Sequence, residues 1–163
     1  MCQTEERIIS VKKDWPDQIK AVVVIPAFKL DTEKSRSLLP PNYSRADAVF
    51  NIQRVALLQT AVSEKNWRLF EEALKDRIHQ PYRSTLVPGL NDALNVKLKG
   101  LLGIALSGSG PTLIGLATDN FEVIKSTLRE IFARQKIGVR CELLEIENRG
   151  RRIEQYGCSK SYF

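Results

Sequence analysis

Leu101-Leu102-Gly103-Ile104-Ala105-Leu106-Ser107-Gly108-Ser109-Gly110-Pro111-Thr112-Leu113-Ile114-Gly115-Leu116-Ala117 is the stretch that decides the fold. Two apolar runs of buried-strand character flank a turn in which serine and glycine alternate from Ser107 to Gly110. Glycine has no Cβ, so its backbone reaches positive φ and a ligand can approach its amides closely. Ser107, Ser109 and Thr112 add hydroxyls at the same edge. A tight hairpin turn and a ligand-binding loop both fit these residues.

Upstream, Lys20-Ala21-Val22-Val23-Val24-Ile25-Pro26 is a β-branched run of the kind buried on both faces, ended by proline, and predicts a central strand. Asp31 to Arg36 offers an N-cap and the first turn of a short helix, stopped by Pro40-Pro41. Ser44, with Asp47 three residues on, opens a longer helix whose apolar stripe is Ala48, Ile52, Val55, Leu58 and Val62. Trp67, Phe70, Leu74 and Ile78 predict another helix, ended by Pro81, which lacks a donor and restricts Gln80. Pro88 starts a third, carrying Leu90, Leu94 and Leu98 and closed by Gly100.

Downstream of the hairpin, Asp119 and Glu122 resemble a capping box. Phe121, Ile124, Leu128, Ile131 and Phe132 carry that helix to about Lys136. Val139 to Ile146 is the last strand, and residues 149–163 read as a tail. Without the extra helices the order is βαββαβ, so the fold class is α+β: a ferredoxin-like antiparallel sheet with inserted helices over one face.

The 163 residues, 43% hydrophobic and 27% charged, suit one globular domain with a real core. No stretch reads as a membrane span or as a signal segment, so no membrane partner is expected. Cys2, Cys141 and Cys158 are odd in number and widely spaced, which predicts no disulfide framework and places the chain in the reducing cytoplasm. The net charge of +6 is spread along the chain and mixed with acids, with Arg149-Gly150-Arg151-Arg152 the densest run. That distribution suits an anionic small substrate, and no nucleic-acid partner is expected.

Two further clusters carry chemistry. Asp76-Arg77-Ile78-His79-Gln80-Pro81-Tyr82-Arg83 gathers arginines, the sole histidine, a glutamine and a tyrosine around a helix end. His79 is read as an ordinary helix-end histidine. Arg83 differs, because proline fixes the local chain and the planar guanidinium fork suits a carboxylate or a phosphate. Thr32 and Arg36 stand one turn apart on one helix face; an N-cap and a solvated arginine would look the same. No Ser-His-Asp or Cys-His set, no metal-ligand spacing and no Gly-rich Lys-Ser/Thr phosphate loop is visible.

Gly103 to Thr112 resembles the third, Gly-rich motif of the GHMP family of small-molecule kinases. Asp76 to Arg83 with Leu86-Val87-Pro88-Gly89-Leu90, Asn51-Ile52-Gln53-Arg54, and the Thr32 to Arg36 turn resemble segments of homoserine kinases within that family. The resemblance covers roughly residues 7–153 and is to the C-terminal half of those enzymes. It implies a GHMP kinase C-terminal, homoserine-binding domain over residues 1–153 and an atypical tail over 154–163.

For function it implies transfer of the ATP γ-phosphoryl group to the hydroxyl of L-homoserine, giving O-phospho-L-homoserine on the route to threonine. Residues matching Arg36 and Arg83 would hold the amino-acid carboxylate, with Thr32 nearby. Ser107, Gly108, Ser109 and Gly110 would form the glycine-rich active-site loop, Gly108 facing the substrate. ATP and Mg²⁺ are implied as well, but the family's Gly-Leu-Gly-Ser-Ser-Ala loop is not found here. No catalytic residue and no metal ligand is therefore expected in this half, whose partner would be the missing N-terminal kinase half. The isolated chain is expected to be inactive, and a homodimer is also allowed. A non-catalytic ferredoxin-like module that binds an amino acid is the alternative. A ferredoxin-like RNA binder would carry stacking aromatics where these strands carry Val, Ile and Leu.

Overall fold

The computed structural model describes residues 2–3 and 8–150, so the expected tail at 154–163 lies outside the described residues. The chain divides into two units. In the smaller, β1 (Cys2–Gln3) pairs antiparallel with β2 (Ile8–Ile9). There the Asn148 side chain also accepts from the Trp15 N–H at 2.8 Å and donates to the Trp15 carbonyl at 2.9 Å.

The larger unit, Pro16–Ile146, holds the sheet. Its strands are β3 (Lys20–Pro26), β4 (Leu101–Leu106), β5 (Leu113–Ala117) and β6 (Val139–Glu145), in the order β4-β5-β3-β6 with every pair antiparallel. This is the expected ferredoxin-like arrangement. The Val-rich run sits in the interior, with Val22 opposite Gly115 on one side and Leu143 on the other.

The helices are α1 (Thr32–Ser37), α2 (Arg45–Ser63), α3 (Phe70–Ala73), α4 (Gln80–Arg83), α5 (Leu90–Leu94) and α6 (Phe121–Arg134). Val22, Val24 and Leu113 from one sheet face meet Leu90 of α5 and Ile124, Leu128 and Phe132 of α6, all fully buried. Full burial of side chains this size contributes about 1.5–3 kcal/mol each, so this layer is the main source of stability. Gly103 turns to the opposite face, beneath Leu74 and the backbone of Glu71. Helices therefore touch both faces of the sheet, where the sequence predicted one.

Several boundaries differ from the periodicity reading. α3 stops at Ala73, and Pro81 lies in the first turn of α4 instead of ending a helix. Proline is harmless there because that N–H has no helical partner. The Asp119–Glu122 box is not made: Asn120 enters α6 at φ 56° with no side-chain cap and donates instead to the Lys99 carbonyl at 3.1 Å. α5 ends at Leu94, short of Leu98.

α2 has the predicted N-cap, Ser44 accepting from Asp47 N–H. Its predicted stripe is inward only in part: Val62 is buried and Ala48 and Leu58 are half-buried, but Ile52 is 68% and Val55 65% exposed. Apolar residues run all round this helix, so spacing alone does not show which side is partnered.

Gly100, at φ +87°, closes the turn before β4, and a Cβ there would stand 2.5 Å from the Asp119 carbonyl oxygen. Gly138 has no such conflict, its nearest neighbour being Ala27 Cβ at 3.8 Å. Gly100→Ala should destabilise by roughly 1–3 kcal/mol, a fall of several degrees in Tm. Gly138→Ala should change Tm much less. Equal thermal melts for the two variants would contradict this account of the turn.

Candidate functional site

The loop between β4 and β5 closes on itself through Ser107 N–H to the Thr112 carbonyl at 2.8 Å and Gly110 N–H to the Ser107 carbonyl at 3.1 Å. Gly108 and Gly110 take φ of +58° and +81°, the left-handed region that glycine enters without cost. A Cβ on Gly108 would meet no atom within 4 Å, so its backbone faces open space. Ser107 is exposed, and Ser109 and Thr112 are half-buried.

Three polar side chains, each of a residue buried as a whole, hold this loop from outside it. Gln80 Oε1 accepts from Leu106 N–H at 2.8 Å, while its Nε2 donates to the Leu74 carbonyl at 3.3 Å. Arg83 Nη1 donates to the Gly108 carbonyl at 2.6 Å. Ser35 Oγ, wholly buried, donates to the Ser109 carbonyl at 2.9 Å. α4 and α1 thus grip successive residues of the loop, which sequence spacing of 25 and 74 residues gives no hint of.

Arg83 is 8% exposed, takes part in none of the ion pairs among the described residues, and leaves a buried Nε without a partner. Withdrawing a charge from water costs several kcal/mol unless an opposite charge and hydrogen bonds offset it. A planar guanidinium in such a setting can take a carboxylate or a phosphate through its fork. Thr32 and Arg36 flank Ser35 on α1; both are exposed, with no side-chain partner among the described residues.

α4 is itself held by the Asp76 carboxylate, whose side chain is 7% exposed. Its oxygens accept from Asn51 Nδ2 at 2.6 Å and from the backbone N–H of Ile78, His79 and Gln80 at 3.2, 2.8 and 2.6 Å. Asn51 Oδ1 accepts from Arg77 N–H at 2.9 Å. These bonds stop the helix predicted through Ile78, because the N–H groups turn to a side chain instead of to carbonyls a turn back.

Burial pushes the Asp76 carboxyl up, but the hydrogen bonds from Asn51, Gln80 and His79 outweigh it and hold it below the ordinary range. A depressed carboxyl stabilises the fold above its unfolded pKa, and that stabilisation disappears as pH falls through the folded value. Behind this turn, the Arg54 and Arg77 guanidiniums both lie over the Phe50 ring, at 3.6 and 3.9 Å. Arg54 also pairs with Glu72. His79 stays at the helix start, its Nε2 3.7 Å from Asp76, as the helix-end reading expects.

A cavity of about 960 Å³ is lined by Phe50, Leu74, Asp76, Gln80, Lys97 and Leu102 among others, but by none of Thr32, Arg36, Arg83 and Gly108. Arg83 lies outside that lining, with one arm on the Gly108 carbonyl and its buried Nε without a partner, as are Arg54 Nε and His79 Nδ1 among the described residues. Among the described residues no group of three or more His, Cys, Asp or Glu could hold a metal, and no helix is long and apolar enough to cross a membrane. Cys141 is free and half-buried, and burial pushes its thiol up.

The model of GHMP kinases C terminal matches residues 56–134. The chain is 48% identical over 136 residues to the homoserine kinase of Schizosaccharomyces pombe, covering 80% of this chain and 40% of that protein. It is 45% identical over 151 residues to that of Saccharomyces cerevisiae, covering 89% and 42%, and 39% identical over 158 residues to that of Aquifex aeolicus, covering 96% and 53%. The crystal structure of a homoserine kinase from Cytophaga hutchinsonii superposes with a TM-score of 0.79 at 27% identity, covering 85% of this chain and 45% of that one.

The chain matches the GHMP kinase C-terminal domain over residues 56–134 and has that domain's fold. It is a homologue of the homoserine kinases, and it spans about half the length of the relatives it matches.

Replacing Gln80 by Leu leaves the Leu106 N–H buried without an acceptor and should cost about 1–3 kcal/mol in chemical denaturation. Ser37→Ala, on the exposed side of α1, should stay within about 0.5 kcal/mol. Equal effects would mean that Gln80 does not anchor the loop.

Proposed function

We propose that this chain is the homoserine-binding half of a kinase that phosphorylates L-homoserine to O-phospho-L-homoserine, a step toward threonine. The observation that carries the proposal is Arg83, a buried guanidinium with no carboxylate beside it and one arm on the Gly108 carbonyl. A planar fork takes a carboxylate through two parallel charge-assisted bonds. In this reading Arg83 and Arg36 hold the α-carboxylate, Thr32 lies nearby, and Ser107 to Gly110 line the substrate. Catalysis in phosphoryl transfer is mostly positioning and charge stabilisation, so these residues orient the acceptor without serving as a base.

The described residues do not fit ATP or Mg²⁺. The Ser/Gly loop runs from strand to strand, whereas amides at a helix N-terminus are what cradle a polyphosphate, and no acidic cluster suits a metal. Both are therefore assigned to an N-terminal kinase half, the partner proposed here. The exposed Val49, Ile52 and Val55 of α2 support such a partner, since apolar residues grouped on a helix surface mark contact sites. The purified chain alone should release no ADP with homoserine. Homoserine-dependent turnover that survives repurification would refute this.

In a polypeptide joining this chain to a homoserine kinase N-terminal half, Arg83→Ala should raise the homoserine KM far more than the ATP KM. Losing a buried charge partner of the carboxylate costs roughly 2–5 kcal/mol. Arg83→Lys should recover only part of that, because it keeps the charge and loses the fork. Unchanged homoserine KM and kcat/KM in Arg83→Ala would make Arg83 a structural residue and remove the basis of the proposal.

A further inference from the structure

We propose that Asp76 is a positioning residue that sets the Arg83 fork and the Gly108 loop, an inference that rests on the carboxylate-binding reading of Arg83. α4 has four residues, too short to hold its own direction as an isolated helix. Its His79 cap residue supplies no side-chain bond. The missing cap comes from Asp76, whose Oδ2 accepts the N–H groups of both His79 and Gln80.

The same carboxylate is fixed on its other side by Asn51 of α2, which also takes the Arg77 N–H. One anion therefore fastens the start of α4 to the long helix. Three residues later along α4 comes Arg83, holding Gly108, and at the start of α4 is Gln80, holding Leu106. A rotation of α4 would move both grips together, so the orientation of the substrate fork and the shape of the loop depend on a group that touches neither. Hydrogen bonds to an ionised acceptor are roughly twice as strong as neutral ones, which suits a carboxylate to this task and an amide poorly. In Asp76→Asn one oxygen becomes an NH₂ that faces backbone N–H groups, leaving them unpaired at nearly constant side-chain volume.

The test uses the 163-residue chain and reads the amide exchange of Leu106 against that of a core amide, Leu128. A general loss of stability speeds both equally, whereas a loosened α4 speeds Leu106 alone. Asp76→Asn should raise the Leu106 to Leu128 exchange ratio about tenfold, the loss of one charged hydrogen bond. Homoserine affinity by calorimetry should fall by a similar factor. Asn51→Ala should move both quantities in the same direction by less, and it serves where Asp76→Asn does not fold.

An unchanged ratio in the folded variant overturns the inference. So does an unchanged homoserine affinity in Asp76→Asn when Arg83→Ala lowers it. If instead Arg83→Ala leaves homoserine affinity unchanged, the carboxylate-binding reading fails, and the positioning role toward substrate falls with it.

Discussion

The bond from Arg83 to the Gly108 carbonyl fixes what the rest of the site must do. A hairpin loop of serine and glycine has little side-chain mass to pack, and glycine carries the largest backbone entropy to lose on folding. Such a loop keeps one shape only if its polar backbone is tied to something already rigid. Here the ties are Gln80, Arg83 and Ser35, each buried and each on a short helix. Short helices in turn need their own ends fixed: Asp31 accepts from Glu33 N–H for α1, and Asp76 does the equivalent for α4. Order thus passes from carboxylate caps to short helices, from these to buried side chains, and from those to the loop.

A buried arginine is an expensive way to hold a carbonyl. Gln80 does the same for Leu106 as a neutral amide with both ends satisfied. Ser35 does it with a hydroxyl. Were anchoring the only requirement at Gly108, a neutral donor would serve at a lower desolvation cost. Of the three anchors in this loop, only Arg83 brings a charge. The overall charge of +6 does not make this argument, because most of it lies on exposed side chains that solvent screens.

How much of this was legible depended on distance along the chain. β3 is Lys20–Pro26 as read, since a β-branched run closed by proline is a local signal. The Ser44 and Asp31 caps were local too, and both form. Arg83 could be singled out by type and by its neighbour Pro81, but not its hold on Gly108. Ser35 carried no signal in the sequence and is the most buried of the three anchors. The turn at Asp76 was misread because periodicity counts side chains and ignores where backbone N–H groups go. Trp67 to Ile78 keeps helical spacing through a break that one carboxylate makes.

The same limit explains α2. Spacing finds a helix there, and the helix forms. The stripe read as its inward face is only partly so, because Phe50, Leu57 and Leu58 are partly covered while Val49, Ile52 and Val55 are exposed. In a free-standing unit, the covered side would carry the apolar residues and the open side the charges. α2 reverses part of this, placing Arg54 inward against Phe50 and Glu72 and leaving valine and isoleucine outward. α2 thus has an ionic inner seam and an apolar outer strip.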